Sequence, residues 1–132
     1  MKTLKKFAAL TFGLMLTICF CAFTACGGGK ATAYTFLIKN ADGTNLEAGY
    51  VQLCIVEEDG DLGSCLNLAK VSKGKVVYNK DWQGNKIAID KPGVYEVHVL
   101  SDNNGFPGSA LETKETYRTS ADKFGTYTIY LK

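Results

Sequence analysis

The stretch YVQLCIV, residues 50–56, decides the fold class, because apolar side chains recur at every second position. Val51, Leu53 and Ile55 share one face of an extended chain, and Cys54 lies on the other. A period of two is typical of a half-buried strand. We therefore expect the first set to face a core, and Cys54 to point outward or towards a covering loop.

The same period recurs on both sides of this stretch, and residues 94–100 form the most apolar segment, expected to be central. Lys73-Gly74 and Lys91-Pro92-Gly93 are turn signals, and residues 101–113 are expected to form a long loop. No part after residue 33 has helical periodicity. Further strands are predicted at residues 34–39, 69–72, 75–79, 86–90, 94–100, 114–118 and 125–131. About seven short strands with regularly spaced turns predict an all-β fold, a single seven-stranded antiparallel β-sandwich.

The N-terminus has the organisation of an export signal. A basic segment, residues 1–6, precedes an apolar run that ends at Phe23 and the small residues Thr24-Ala25. The tetrad Phe23-Thr24-Ala25-Cys26 resembles the lipobox of bacterial lipoproteins. That resemblance implies that Cys26 carries lipid and becomes the first mature residue. The alternative is an uncleaved anchor helix, since the apolar run is near the lower length limit for spanning a bilayer.

This interpretation divides the chain into a signal peptide (1–25), a lipidated Cys26 with a glycine-rich flexible tether (26–32) and a β-sandwich domain (33–132). The protein is expected at the outer face of a bacterial membrane, held there by its lipid. The formal net charge is +2. Without the three signal lysines it is about −1, which argues against nucleic acid as an electrostatic partner.

Cysteine usage fits the same interpretation. Of five cysteines, Cys19 and Cys21 would leave with the signal and Cys26 would be acylated. The remaining two, Cys54 and Cys65, are expected to form one disulfide, which would contribute roughly 3 kcal/mol to stability by loop entropy. A reduced pair is the alternative.

Four segments resemble the prealbumin-like sandwiches, which include the carboxypeptidase regulatory-like and Cna B-type domains of bacterial surface proteins. The segments are NADG (40–43), LEAGYVQL (46–53), GKVVY (74–78) and KPGVYEV (91–97). Together with the first strand they span about residues 34–100. The resemblance implies a prealbumin-like fold and a role as a surface module.

No catalytic, metal or cofactor site is predicted. The single histidine, His98, lies in mid-strand beside Glu96 with no nucleophile motif around it, so we interpret it as a solvent-facing strand residue. Four acidic residues fall within residues 57–61, but without the spacing of a calcium loop. A solvated acidic loop is the preferred interpretation. Two cysteines and one histidine also fall short of a structural zinc site.

Aromatic residues are the better candidates for ligand contact. Tyr34, Tyr95 and Tyr127 share faces with Ile and Val and are expected in the core, whereas Trp82, Phe106 and Tyr130 lie in loops or on the opposite face. For those three, packing over a sheet end is the competing interpretation.

The sequence therefore predicts a non-enzymatic, lipid-anchored surface module that binds a protein, peptide or glycan, or acts as a spacer. The alternative is an inhibitor or accessory factor of a secreted hydrolase. In that case the acidic loop at residues 57–63, pinned by the disulfide, would be the contact element.

Overall fold

The structure, a computed structural model, describes residues 31–132. The predicted signal peptide and Cys26 lie outside these residues. Within them the chain forms eight strands and no helix. The strands are β1 (Thr35–Lys39), β2 (Ala48–Val56), β3 (Leu62–Cys65), β4 (Ala69–Ser72), β5 (Lys75–Val77), β6 (Tyr95–Asn103), β7 (Phe106–Leu111) and β8 (Thr126–Tyr130).

All eight strands belong to one sheet, ordered β7-β6-β2-β4-β5-β1-β8, with β3 paired to β2 beyond the end of β4. The pairing of β1 with β8 is parallel, from Thr35 opposite Thr126 to Lys39 opposite Tyr130. The other strand pairs are antiparallel. The sheet is therefore mixed, and its first and last strands in sequence are neighbours.

The sheet curls until its two ends meet. The chain directly after β7 forms a bridge between Thr113 and Leu131, immediately beyond β8. Two backbone hydrogen bonds flank the bridge, from Lys114 N to the oxygen of Tyr130 at 2.8 Å and from Lys132 N to the oxygen of Glu112 at 3.0 Å. This seam joins the end of β7 to the end of β8, at opposite ends of the strand order.

The core fills the inside of the curl. Val51 lies opposite Val99 and Leu53 opposite Val97, where β2 pairs with β6, and these four side chains are buried. The other buried apolar side chains of this cluster are Tyr34, Phe36, Ile38, Ala69, Val71, Val76, Tyr78, Ile87, Ile129 and Leu131. Tyr34 is fully buried as expected, while Tyr95 and Tyr127 are half-buried and pack against the cluster.

The all-β class is confirmed, but the seven-stranded antiparallel sandwich is not: the described residues form one curled, mixed sheet. A two-residue period identifies a strand without identifying its neighbours, so the parallel β1–β8 pairing could not be read from the sequence. No helix in residues 31–132 is long and apolar enough to cross a membrane.

Three segments differ locally from the predictions. Residues 86–90 and 114–118 form only isolated bridges, Lys80 with Lys86 and Glu96 with Arg118. The predicted loop at 101–113 instead contains the β6–β7 hairpin. Its turn, Asn104-Gly105, has φ angles of 53° and 89°. Successive positive φ angles are those of a type I′ hairpin turn, for which Asn-Gly is a strong sequence signal.

Candidate functional site

Tyr50 marks the site, because it is fully buried although it lies on the opposite face of β2 from the core residue Val51. The ring of Trp82 packs against it edge to face, with centroids 6.1 Å apart and an interplanar angle of 82°. The hydroxyl of Tyr50 donates a 2.8 Å hydrogen bond to Oδ1 of Asp102 on β6. Burial, together with the bond to this carboxylate and its charge, raises the pKa of Tyr50 to about 12.

Trp82 lies in a tight loop organised by its neighbour Asp81, which is buried. Oδ1 of Asp81 accepts hydrogen bonds from the amides of Asn85 at 2.8 Å and Gln83 at 2.9 Å. These amides, Asn85 foremost, lower the pKa of the Asp81 carboxyl below its ordinary value. A carboxylate that closes its own backbone turn fixes the direction in which the next side chain leaves, so Asp81 orients Trp82.

The Trp82 loop is also tied to the chain that follows β3. The amide of Trp82 donates a 2.8 Å hydrogen bond to the oxygen of Leu68. Nδ2 of Asn67 donates to Oδ2 of Asp81 at 3.3 Å, and the buried hydroxyl of Tyr78 donates to the oxygen of Asn67. The position of Trp82 is therefore set from both its own loop and the 66–68 segment.

Phe106 completes the site from the first position of β7. Its ring lies 5.9 Å from that of Trp82 at an interplanar angle of 73°. It is 63% exposed, more than any other exposed large apolar residue in the described part of the chain. We call Tyr50, Trp82 and Phe106 the aromatic patch: Tyr50 is its buried base, Trp82 its half-buried middle and Phe106 its exposed tip.

The structure thus brings together two of the three aromatic residues chosen from the sequence. Tyr130, 41% exposed, lies on β8, and its ring is 5.6 Å from Nζ of Lys114. The β8 strand meets the chain beyond Leu111, at the far end of β7 from Phe106. The length of β7, six residues at a rise of about 3.3 Å each, therefore lies between Tyr130 and the patch.

Sequence reasoning missed the support of the patch, which is buried Tyr50 with its exposed hydrogen-bond partner Asp102. Tyr50 could be assigned to the outer face from its alternation with Val51. Nothing local indicates that Trp82 covers it. The Asn104-Gly105 turn signal could have placed Phe106 on a strand next to β6, and with it the neighbouring Asp102.

The rim of the patch is polar. Asp102, Asn103 and Asn104 in the β6–β7 hairpin are exposed, as are Gln83 and Asn85 in the Trp82 loop. Asn103 lies directly opposite Phe106 in the hairpin. The loop and the hairpin that carry the apolar rings therefore also carry exposed amide and carboxyl side chains that can donate or accept hydrogen bonds.

The predicted disulfide is confirmed: Cys54 and Cys65 are bonded and lie opposite each other where β2 pairs with β3. Cys54 is buried and Cys65 exposed.

The acidic loop forms the turn between β2 and β3, closed by hydrogen bonds from Glu57 N to the oxygen of Asp61 at 2.8 Å and from Gly60 N to the oxygen of Glu57 at 2.9 Å. Its acidic side chains are exposed. Residues 31–132 contain no group of three His, Cys, Asp or Glu side chains that could hold a metal ion.

His98 lies beside Glu96 on the outer face of β6, its Nε2 3.1 Å from Oε1 of Glu96. The other oxygen of Glu96 accepts hydrogen bonds from Arg118, Nη2 at 3.0 Å and Nε at 3.2 Å. Among the described side chains, no hydroxyl or thiol is hydrogen-bonded to His98, so this group has the geometry of a Glu96–Arg118 ion pair beside a histidine and not of an activated nucleophile.

A concavity of about 430 Å³ lies at the seam beside the ends of β7 and β8. Its lining includes Asp42, Leu111, Leu131 and Lys132. None of the aromatic residues considered above lines it. This concavity is therefore separate from the aromatic patch. The chain matches no protein-family model, no curated protein and no solved structure.

Proposed function

We propose that this chain is a non-enzymatic surface module, anchored by lipid at Cys26 to the outer face of a bacterial membrane, that binds a glycan at the aromatic patch. The observation that carries the proposal is the exposure of Phe106 over a rigid support. A phenyl ring 63% exposed contributes little to folding, yet its neighbour Trp82 is fixed by hydrogen bonds on both sides.

The support of the patch favours ligand binding. Trp82 rests on buried Tyr50, which is bonded to Asp102, so little side-chain freedom remains to be lost when a ligand binds. Pre-organised aromatic surfaces gain affinity in this way. The exposed ring of Phe106 and the half-buried ring of Trp82 offer apolar area next to hydrogen-bonding groups.

The polar rim favours a glycan over a peptide. A sugar presents apolar C–H faces to rings and hydroxyls to neighbouring amides, which matches Phe106 beside Asn103 and Asn104. A peptide could instead add as a strand to the outer edge of β7. Pro107 works against this, because proline has no backbone N–H to donate to an added strand.

The proposal also includes the lipid anchor at Cys26 and a relationship to prealbumin-like domains. The export signal, the lipobox-like tetrad and the glycine-rich tether support attachment at Cys26. The four prealbumin-like sequence segments support a distant relationship to prealbumin-like surface domains. Intact mass and acyl-chain analysis of the wild type and of Cys26→Ser test the anchor. Acyl chains on the variant, or none on the wild type, would remove this part of the proposal.

The binding proposal is tested with the full chain in detergent, by measuring its retention on cell-wall polysaccharide. Trp82→Ala and Phe106→Ala should abolish retention. Tyr130→Ala is the matched control, since it removes an exposed aromatic ring outside the patch, and it should retain binding. Equal retention by all variants would contradict a site at the patch. Recovery of a single stoichiometric protein in a pull-down from cell envelopes would favour a protein ligand.

One observation favours a second candidate function, inhibition of a secreted hydrolase. The turn at residues 57–61 projects exposed carboxylates from a hairpin whose strands are cross-linked by the disulfide. A constrained loop of this kind can occupy an enzyme cleft at small entropic cost. Loss of inhibition of a protease or lysozyme in a Glu58→Ala, Asp59→Ala variant would support this function. If neither site matters in either assay, a spacer role remains.

A further inference from the structure

We propose that the Cys54–Cys65 disulfide is a redox switch for the aromatic patch, so that its reduction by a dithiol releases Trp82 from Phe106. The consequence for ligand binding rests on the proposed function. The structural part of the switch does not depend on it.

The disulfide is a principal connection between β3 and the rest of the sheet. The pairing of β3 with β2 comprises only two register pairs, Cys54 with Cys65 and Val56 with Leu62, with an irregularity between them. Leu62 is 44% exposed, and Ser64 and Cys65 are exposed as well. Because β3 buries little surface, the covalent bond is a major part of what holds it in place.

A short segment leads from Cys65 to the patch. Leu66 N donates to the oxygen of Leu53 at 2.8 Å, and Nε2 of Gln52 donates to the oxygen of Leu66 at 3.0 Å. Two residues further on, the oxygen of Leu68 accepts the amide hydrogen of Trp82. Cys65 is thus three residues from the carbonyl that positions the indole.

The opposite end of the segment is anchored differently. Ala69 begins β4 and lies opposite Val51, in the buried core. Residues 66–68 therefore bridge a cross-link on one side and a core strand on the other. When the cross-link opens, the backbone still continues into β3 and Leu66 keeps its hydrogen bonds to Leu53 and Gln52, but residues 66–68 lose the nearby covalent cross-link to β2. The Trp82 amide bond is then the polar contact of the patch most directly exposed to the change.

The chemistry is an ordinary thiol–disulfide exchange. A thiolate of the dithiol attacks Sγ of exposed Cys65, the Cys54–Cys65 bond breaks, and Cys54 leaves as a thiolate and takes up a proton. The second thiolate of the reductant then attacks the mixed disulfide and releases Cys65. Two electrons pass to the protein, and the reductant leaves as its own cyclic disulfide.

Trp82 reports on the switch directly, because it is the single tryptophan of the chain. The full chain is compared in oxidised form and after treatment with dithiothreitol, with alkylation and peptide mapping to verify reduction at both cysteines. We expect a red shift of the tryptophan emission, a severalfold rise in acrylamide quenching and faster exchange of the Trp82 amide. The core amides of Val97 and Val99 should keep their protection.

Two variants serve as controls. The double variant Cys54→Ser, Cys65→Ser should show the reduced-state emission at the outset and no response to dithiothreitol. Phe106→Ala, which keeps the disulfide, should still respond through the Trp82 amide. Unchanged Trp82 emission and exchange after complete reduction would overturn the proposal. Simultaneous loss of protection at Val97 and Val99 would also overturn it, since the disulfide would then stabilise the whole fold.

Glycan retention measured in both redox states distinguishes the redox switch from the glycan-binding function. Glycan retention that falls severalfold on reduction supports both. Equal retention in the two redox states overturns the switch and leaves the binding site in place. A Trp82 response to reduction with no retention in either state supports the switch and contradicts the glycan-binding function.

Discussion

Tyr34 and Gly93 are joined by reciprocal hydrogen-bond contacts across the buried end of the sheet. The hydroxyl of Tyr34 lies 2.8 Å from the oxygen of Gly93, and the amide of Gly93 donates back to the same hydroxyl at 2.9 Å. A second carbonyl, that of Ser120, lies 3.0 Å from the hydroxyl. The Tyr34 side chain, next to β1, thus contacts two connecting segments, at Gly93 and at Ser120, that are distant from it in sequence.

Tyr34→Phe should destabilise the fold by about 1–3 kcal/mol, because it removes the hydroxyl that pairs with the half-buried amide of Gly93 and carbonyl of Ser120. The free energy of unfolding in denaturant measures the effect. Tyr130→Phe is the control: it removes the hydroxyl of an exposed tyrosine and should change stability by less than about 0.5 kcal/mol. Equal values for the two variants would contradict a structural role for the Tyr34 hydroxyl.

Acid should loosen the Trp82 loop through Asp81. The pKa of Asp81 in the folded protein is lowered from the ordinary value of 3.8, chiefly by the amide of Asn85. The stability that its carboxylate gives to the loop is therefore fully present above pH 3.8 and is lost as the pH falls through the folded pKa. Tryptophan emission as a function of pH should shift in this range, and Asp81→Asn should remove the shift.

Asp42→Asn is the matched control for that titration. The pKa of Asp42 is also lowered, by hydrogen bonds from Thr44, but Asp42 lies in the connection between β1 and β2. The tryptophan shift should survive this change. Its disappearance in Asp42→Asn would show that the shift reports protonation of Asp42 and not of Asp81.

Alkaline pH should weaken the fold through Tyr50 and Tyr78. Burial raises the pKa of each from 10.0 to about 12, so the folded state retains protons that the unfolded state loses. Stability is therefore constant below pH 10 and falls between pH 10 and 12. Tyr50→Phe should reduce the slope of unfolding free energy against pH in this window, and tyrosinate absorbance should show the late titration. A slope unchanged by Tyr50→Phe would contradict the raised pKa.

Gly74→Ala should cost more than Gly84→Ala. Both glycines have positive φ, 79° and 94°, but a Cβ at position 74 would lie 2.6 Å from Cβ of Asn45, whereas one at position 84 meets nothing within 4 Å. Backbone strain alone is worth about 1 kcal/mol, so Gly84→Ala should lose about that amount and Gly74→Ala clearly more. Denaturant unfolding of the two variants makes the comparison, and equal losses would contradict the contact with Asn45.

Local features of the fold could be predicted from the sequence. The alternation around Val51 and Leu53 placed them in the core, the Lys73-Gly74 signal located a hairpin turn, and the cysteine inventory paired Cys54 with Cys65. Each of these predictions depends on residues close together in the chain, or on the number of cysteines. The parallel pairing of β1 with β8 depends on how far the sheet curls, which no short segment encodes.

The candidate site was predictable only in part, for the same reason. Trp82 and Phe106 could be selected as aromatic residues in polar surroundings, but their contact arises where the Trp82 loop meets the β6–β7 hairpin. The burial of Tyr50 is a consequence of that contact. Tyr130 has the same local features as the other two and lies elsewhere, so residue type and exposure alone do not identify the site.

The parallel pairing of β1 with β8 also constrains the order in which the protein can assemble. Phe36 and Ile38 pair with Tyr127 and Ile129, which are made almost a whole domain later, and such long-range pairings are associated with slow folding. Until residues 126–131 have been synthesised, one edge of β1 has no neighbouring strand. The nascent chain therefore carries an open strand edge, to which another chain can add, until its final strand is present.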